Sequence, residues 1–473
     1  MTLTRRAALR RGSAAVGLGT LAGCLGEPGN DDTQDGNGGG DGESEITGYG
    51  AFFTLWDWCN EITGDRGSFE NPVDVGEMGH GWSPDGDLTR NVAETDAFVY
   101  LDTPEFAWAQ DLAGQLQAEG DSVDVAVIDG LEGITDDQLL AFSSEAVPEP
   151  DYDHEFDPDT LEIEGFDVID PTTGETIAYW HGDHWHGGLP DVPVDGSVRL
   201  EAVFETVGGH VVPLGSDEQF QFDARLGDGA PDDVVDIESR GDAVEFHGES
   251  EGRTLVVFEL RHGEDILWDT SADTLNLDVS ADVDSAEMTE FHDPHVWVDP
   301  VLAADIVDTI TDGLADISPD DAETFEANAD AYKERLDAVD DQFQETIAEA
   351  ELDIAVFAGH DSFRYLEHRY GFDLHSPVGV SPDESPSPGE IAETIELVNG
   401  NDIDTILYDP FETAGGEVPP LAETIVEDSS ATEVAPLTPA EGTMADWNDQ
   451  GWGWVEQMEE ITIPSLRAAL KAE

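Results

Sequence analysis

Between Pro319 and Ala350 the chain has neither glycine nor proline, and Phe325, Tyr332, Leu336, Val339, Phe343 and Ile347 recur there on one helical face. Ser318-Pro319 supplies an N-cap and a first-turn proline. At 1.5 Å per residue such a helix is about 45 Å long, enough to cross a whole domain. Any fold of this chain has to be arranged about that rigid element, and a spine between two lobes suits it.

The flanking segments support such an arrangement. Residues 46–150 alternate apolar runs with amphipathic stretches, with strands expected at Ile46–Phe53, Ala97–Leu101 and Val123–Ile128. Residues 289–317 continue that lobe: Asp299-Pro300 starts a helix, and Leu302, Ile306, Ile310 and Leu314 form its stripe. Residues 351–473 return to α/β alternation around strands at Ile354–Ala358 and Thr405–Tyr408. Residues 151–288 differ. Helical periodicity disappears there, and short runs such as Val198–Phe204 and Thr254–Leu260 are separated by Gly and Asp turns, as in a small sandwich or barrel. The expected fold class is therefore α/β: two lobes with parallel sheets joined by a spine helix over 318–350, plus an inserted all-β, sandwich-like domain. A length of 473 residues accommodates it.

Acidic residues outnumber basic ones 109 to 17, a formal charge of −92, and Lys333 and Lys471 are the only lysines. With no basic stripe to release counterions, nucleic-acid binding is not expected. A hydrophobic fraction of 39% still permits folding. The acids run through periodic segments as well as loops, which fits a halophilic protein: at about 1 M salt the Debye length falls to roughly 3 Å and screens the self-repulsion.

The N-terminus carries an address. Arg5-Arg6 precedes a short apolar stretch ending in Leu21-Ala22-Gly23-Cys24, too short and too rich in Gly and Ala for a membrane span. The pair resembles a twin-arginine (Tat) export signal, and Leu-Ala-Gly-Cys resembles a lipobox. That resemblance implies a signal peptide over 1–24, cleavage before Cys24 and lipidation of its thiol. Residues 25–45, rich in Gly, Asp and Glu, read as a flexible tether holding the protein off the outer face of the cell membrane. Only Cys59 would then remain, so neither an intrachain disulfide nor a cysteine-based zinc site is expected; the thiol reads as a buried apolar group.

Three histidines occupy distinct short motifs: His80 in Gly79-His80-Gly81-Trp82, His295 in Asp293-Pro294-His295-Val296-Trp297-Val298-Asp299-Pro300, and His360 in Gly359-His360-Asp361-Ser362. Taken singly, a loop histidine is more often a surface or hydrogen-bonding group than a ligand. In open parallel sheets, however, ligands bind beyond the carboxyl ends of strands. His360 directly follows the 354–358 strand, and Asp409 directly follows the 405–408 strand. Three imidazoles and one carboxylate make the N/O set that zinc favours. Glu412 lies close enough in sequence to compete with Asp409 for the fourth position.

These motifs resemble the zinc/manganese-type solute-binding lipoproteins of ABC importers, over roughly residues 47–145 and 290–470. The most specific element is Asp-Pro-His-Val-Trp-Val-Asp-Pro; the next is the His360 segment through Tyr365 and Tyr370-Gly371. The resemblance implies two α/β lobes on a long helix with a metal between them, ligated by His80, His295 and His360. It implies delivery of Zn2+, or of Mn2+, to an ABC permease and its ATPase, with no enzymatic activity in the binding protein. Manganese-type members tend to carry Glu where His360 stands, which favours zinc. One departure is Gly79-His80, where the family usually has Pro-His.

Many zinc-type members carry a histidine-rich acidic loop before Asp-Pro-His, and here the insertion takes its place, with His154, His181, His184, His186, His210, His247 and His262. His181, His184 and His186 make an auxiliary metal-collecting site conceivable, solvated surface histidines being the alternative. Two other functions stay open. One is a secreted zinc hydrolase with an open zinc position and Glu77, Asp409 or Glu412 as base, although no His-Glu-x-x-His motif occurs. The other is a metal-binding adhesin or chaperone uncoupled from transport. No Walker-type loop is present, so nucleotide binding is not expected.

Overall fold

The computed structural model describes residues 46–472, except 80–81, 83, 85, 104–105, 120–122, 124, 136–137, 141–146, 149, 153, 159, 173–174, 182–183, 195, 217, 228, 232, 264, 273, 282–291, 379–385, 387 and 414. The signal segment, Cys24 and the tether lie outside the described residues.

The first lobe runs β1 (Ile46–Gly50), α1 (Phe53–Thr63), β2 (Gly67–Glu70), α2 (Leu88–Val92), β3 (Ala97–Tyr100), α3 (Ala107–Glu119) and β4 (Ala126–Asp129). All pairings are parallel, in the order β2-β1-β3-β4. The apolar run expected as one strand through Phe53 divides. β1 ends at Gly50, where a Cβ would lie 2.4 Å from the Trp56 backbone nitrogen, so the chain turns there into α1. Cys59 is buried in this lobe's core.

An all-β unit follows. Its strands are β5 (Ile163–Asp170), β6 (Glu175–His181), β7 (His184–Gly187), β8 (Val192–Pro193), β9 (Ser197–Thr206) and β10 (Gln221–Leu226). They continue with β11 (Val235–Ser239), β12 (Ala243–Gly248), β13 (Gly252–His262), β14 (Asp265–Asp269) and β15 (Leu275–Ser280). One sheet is ordered β11-β12-β9-β5-β6-β7; the other is β10-β13-β15-β8 with β14 on β13. Phe166, Phe204, Phe222, Phe246 and Phe258 fill a core separate from that of the lobes. Val198, Leu200 and Phe204 of β9 and Val256, Phe258 and Leu260 of β13, at every second position, point into that core.

The chain re-enters the first lobe at Asp293 and forms α4 (Pro300–Ile317). Asp299 Oδ1 caps it by accepting from Val301 and Leu302 N–H groups (2.9 and 3.4 Å). Leu302, Ile306, Ile310 and Leu314 are all buried. α5 (Ala322–Glu349) is the spine; at 28 residues it is about 42 Å long. It starts later than Ser318-Pro319, because Ser318 Oγ donates to Asp321 Oδ2 (2.9 Å) and those four residues close a turn before the helix. Phe325, Tyr332, Leu336, Val339 and Phe343 are buried along it, within a core cluster containing residues of both lobes.

The second lobe contains β16 (Ile354–Ala358), α6 (Arg364–Tyr370), β17 (Asp373–His375), α7 (Pro388–Gly400), β18 (Thr405–Tyr408), α8 (Pro420–Asp428) and β19 (Glu433–Pro436). Its sheet, β17-β16-β18-β19, is again wholly parallel. α9 (Ala445–Gln450), α10 (Trp454–Gln457) and α11 (Ile463–Ala469) follow, the last two packing on the spine. Trp454 packs against Trp58 of α1, and its N–H donates to Asp57 (2.9 Å).

Candidate metal centre

Three adjacent parallel strands of the second lobe end at one place. β16 leads into Gly359-His360, β18 into Asp409 and β19 into the 437–443 loop. Facing them from the first lobe is a 3-10 turn, His295–Val298. The carboxyl ends of parallel strands thus meet a loop of the other lobe, the usual place for a ligand in an open α/β sheet.

His295, His360 and Glu441 form the cluster there. Each offers a ligand atom, these atoms lie within 4.8 Å of one another, and none of the three residues is more than 1% exposed. The imidazole centroids of His295 and His360 are 5.4 Å apart.

His295 is a firmly oriented ring. Its Nδ1 lies 2.9 Å from Asp293 Oδ1, which also accepts the His295 backbone N–H at 3.0 Å. Arg364 Nη1 donates to the other Asp293 oxygen (3.2 Å), and the Tyr365 hydroxyl donates to the Asp293 carbonyl (2.9 Å). A carboxylate at Nδ1 fixes the tautomer with the proton there and makes Nε2 the accepting side of the ring. The motif Asp-Pro-His therefore builds a candidate ligand and its orienting group together. Burial holds the Tyr365 phenol far above its ordinary range, so it stays a neutral donor.

His360 follows a glycine for a steric reason: a Cβ on Gly359 would come within 2.5 Å of the Phe357 ring. Its Nδ1 lies 3.7 Å from Asp409 Oδ2. Asp409 Oδ1 caps the next turn by accepting from Phe411 N–H (2.8 Å). Asp409 is fully buried beside His360 but is not in the cluster of converging ligand atoms, and neither is Glu412, which belongs to the 3-10 turn Pro410–Glu412.

The acidic member is Glu441, which sequence reasoning missed. Its loop is tightly held. Ala440 adopts φ +58, a left-handed conformation that costs an alanine about 1–2 kcal/mol. Thr438 Oγ accepts from the Ala440 N–H (3.0 Å), Thr54 Oγ donates to the Ala440 carbonyl, and Trp297 Nε1 donates to the Pro439 carbonyl (2.9 Å). Gln457 Nε2 holds the Gly442 carbonyl at 3.1 Å. The signal for such a residue is a strand end, but β19 has the sequence Glu433-Val434-Ala435-Pro436, which is too short, and closed by a proline, to stand out as a strand.

His80 lies outside the described residues, whereas its neighbours are placed. Gly79 is packed so that a Cβ would sit 2.7 Å from Phe52 Cβ and 3.4 Å from Glu441 Oε1. Its carbonyl accepts from Trp108 Nε1 (3.2 Å), and Trp82 meets Trp108 edge-on at 4.8 Å. The Gly76 N–H donates to the Thr443 carbonyl (2.8 Å). The loop bearing His80 and the loop bearing Glu441 therefore touch.

The remaining sequence candidates lie elsewhere. His181 and His184 pair across the β6–β7 hairpin, and His186 pairs with Tyr179; the side chains of all three histidines lie outside the described residues. Glu77 is exposed, and its carbonyl lies 2.3 Å from where a Cβ on Gly442 would be.

Two parallel-sheet lobes on a helical spine, with imidazoles and a buried carboxylate converging between them, define a two-lobed protein with an interlobe metal-type cluster. The chain belongs to the family described as zinc-uptake complex component A, periplasmic, whose model matches residues 50–462. It is 36% identical over 182 residues to the zinc-binding lipoprotein AdcA of Streptococcus pneumoniae, a match spanning 38% of this chain and 35% of that one. It is 31% identical over 179 residues to the high-affinity zinc uptake system protein ZnuA of Bacillus subtilis, over 38% of this chain and 53% of that one. The chain thus spans about a third to a half of these relatives' length. The solved structure of zinc-bound AdcA from Streptococcus pneumoniae shares the fold with a TM-score of 0.50 at 19% identity, covering 91% of this chain and 58% of that one.

Proposed function

We propose that this protein captures Zn2+ between its lobes and delivers it to an ABC permease whose separate ATPase drives import. The observation that carries the reading is the buried convergence of His295, His360 and Glu441. His80 completes the set from the loop that touches Glu441. Glu441 takes the carboxylate position for which Asp409 and Glu412 were the sequence candidates; Asp409, beside His360, compensates charge there. An imidazole-rich set with one carboxylate suits Zn2+ better than Mn2+, which favours oxygen ligands. The zinc is cargo, and the chain carries out no bond chemistry on it.

Cys24 anchors the protein by lipid to the outer membrane face after export through the twin-arginine route, and the acidic surface suits high salt. The direct test is metal analysis of the chelator-stripped and reloaded chain in molar salt, with uptake of radioactive zinc by cells carrying or lacking it. One tight equivalent, lost in His295→Ala and His360→Ala, together with reduced uptake in its absence, is expected. Unchanged zinc content in both variants would sink the reading.

A further inference from the structure

The inserted sandwich holds a second convergence of metal-ligating side chains. Asp151, His154 and His210 each offer a ligand atom within 4.8 Å of the others. Asp151 and His154 lie on the segment that leads into the sandwich, and His210 follows the turn after β9. A backbone bond joins the two segments, Asp151 N–H donating to the Val211 carbonyl (2.9 Å), and Thr206 N–H closes the turn that carries His210 by donating to its carbonyl (3.1 Å).

The side chains are held as well. His210 Nδ1 lies 2.8 Å from Asp151 Oδ2, and the His154 and His210 rings stack with centroids 3.8 Å apart and 22° between planes. Phe156 braces His154 edge-on at 4.6 Å and itself leans on Phe220. Two imidazoles this close repel one another if both are protonated, and both ligate when neutral.

A comparable trio in the same sandwich shows what an already compensated cluster looks like. Glu238, Glu245 and His247 also converge, but Arg240 bonds Glu245 and reaches to 3.8 Å of Glu238, so a fixed guanidinium occupies the place of a cation. Among the described residues no Arg or Lys pairs with Asp151.

We propose that Asp151, His154 and His210 form a second site for a divalent transition metal of the zinc class, clamping the entry segment onto the sandwich. Two imidazoles with one carboxylate select that class over Mg2+ and Ca2+, which take oxygen ligands. Partial exposure leaves room for water in the coordination sphere, so this ion exchanges more readily than the one in the cleft. The proposal stands independently of the cleft.

The test is titration of the stripped full chain with Zn2+ alone in molar salt, where loose binding to surface carboxylates is screened. Wild type is expected to take up two equivalents, the weaker one absent from the His154→Ala/His210→Ala double variant and weakened roughly tenfold in Asp151→Asn. Retention of the tight equivalent in the double variant shows that the chain is folded, and retention of the weaker one in His295→Ala/His360→Ala separates the two sites. A single equivalent in wild type overturns the proposal. So does a second equivalent that survives the double variant, or one that disappears only when His181, His184 and His186 are replaced.

Discussion

The cleft cluster and the cluster in the sandwich use the same side chains and differ in what surrounds them. In the cleft, His295 and His360 are at most 1% exposed, and His295 leans on a carboxylate that is itself held by Arg364 and Tyr365. In the sandwich, Asp151 bonds His210 directly, and both are more than a third exposed. A set of two imidazoles and a carboxylate is common to both. Only the cleft adds burial, which removes competing water, and an orienting shell, which removes ring motion. Retention of an ion should therefore scale with the support around the ligands more than with their identity.

The largest effect expected follows from removing a cleft ligand. His295→Ala or His360→Ala should weaken zinc by more than about 100-fold, the upper end for loss of an orienting group alone. Competition titration against a chelator of known affinity measures it. A loss no greater than that of the sandwich variant would erase the distinction between the sites.

The next test ranks the carboxylates. Glu441→Gln keeps shape and removes charge, and should weaken zinc about as much as loss of a histidine. Asp409→Asn should cost about tenfold, and Glu412→Gln little. If Asp409→Asn proves the most damaging, the fourth ligand is the one the strand-end argument selected from sequence, and Glu441 becomes the supporting acid.

Smaller than the loss of a cleft cluster residue is that of Asp293→Ala, expected to cost about 10–100-fold by freeing the His295 ring while leaving the cluster side chains in place. At the sandwich, Asp151→Asn alters a ligand that has no buried shell behind it and should cost about tenfold. Equal losses would mean that the extra bonds from Arg364 and Tyr365 add nothing.

How legible these features were in the sequence depended on whether a residue's role was set by near neighbours. The spine stripe, the Asp299 cap and the Asp293-Pro294-His295 unit are local, and each can be seen in a few residues. His360 and Asp409 needed one step more, a strand and its end, and both strands are apolar enough to recognise. Glu441 needed β19, whose four residues become a strand only by pairing with β18. The convergence of Asp151 and His154 with His210 needed the register between an entry segment and a turn some 60 residues later, which no local pattern encodes. The division of Ile46–Phe53 into strand and helix turned on how closely Gly50 and Trp56 approach, again a tertiary fact.

A buried acid outside both clusters sharpens the comparison with the smallest effect. Asp57 on α1 accepts from the Trp454 N–H (2.9 Å) and from the Tyr332 hydroxyl on the spine (3.2 Å), joining three elements. Unlike Asp293, its carboxylate has no ion pair with Arg among the described residues, and burial, aided by the charges of Glu61 and Glu456, raises it from the ordinary 3.8 to about 7. Between those values the folded chain keeps a proton that the unfolded chain has released. Stability from this group is therefore full below about pH 4, falls as pH rises to about 7, and is flat beyond. Asp57→Asn keeps an oxygen acceptor for both donors and cannot ionise. Relative to wild type, its melting temperature should rise by roughly 1–3 °C between pH 4.5 and 7.5 in constant molar salt, with zinc affinity unchanged. A wild-type-to-variant difference that does not move with pH would mean that Asp57 is ionised throughout, and that burial without a cation is tolerated here as readily as burial with one.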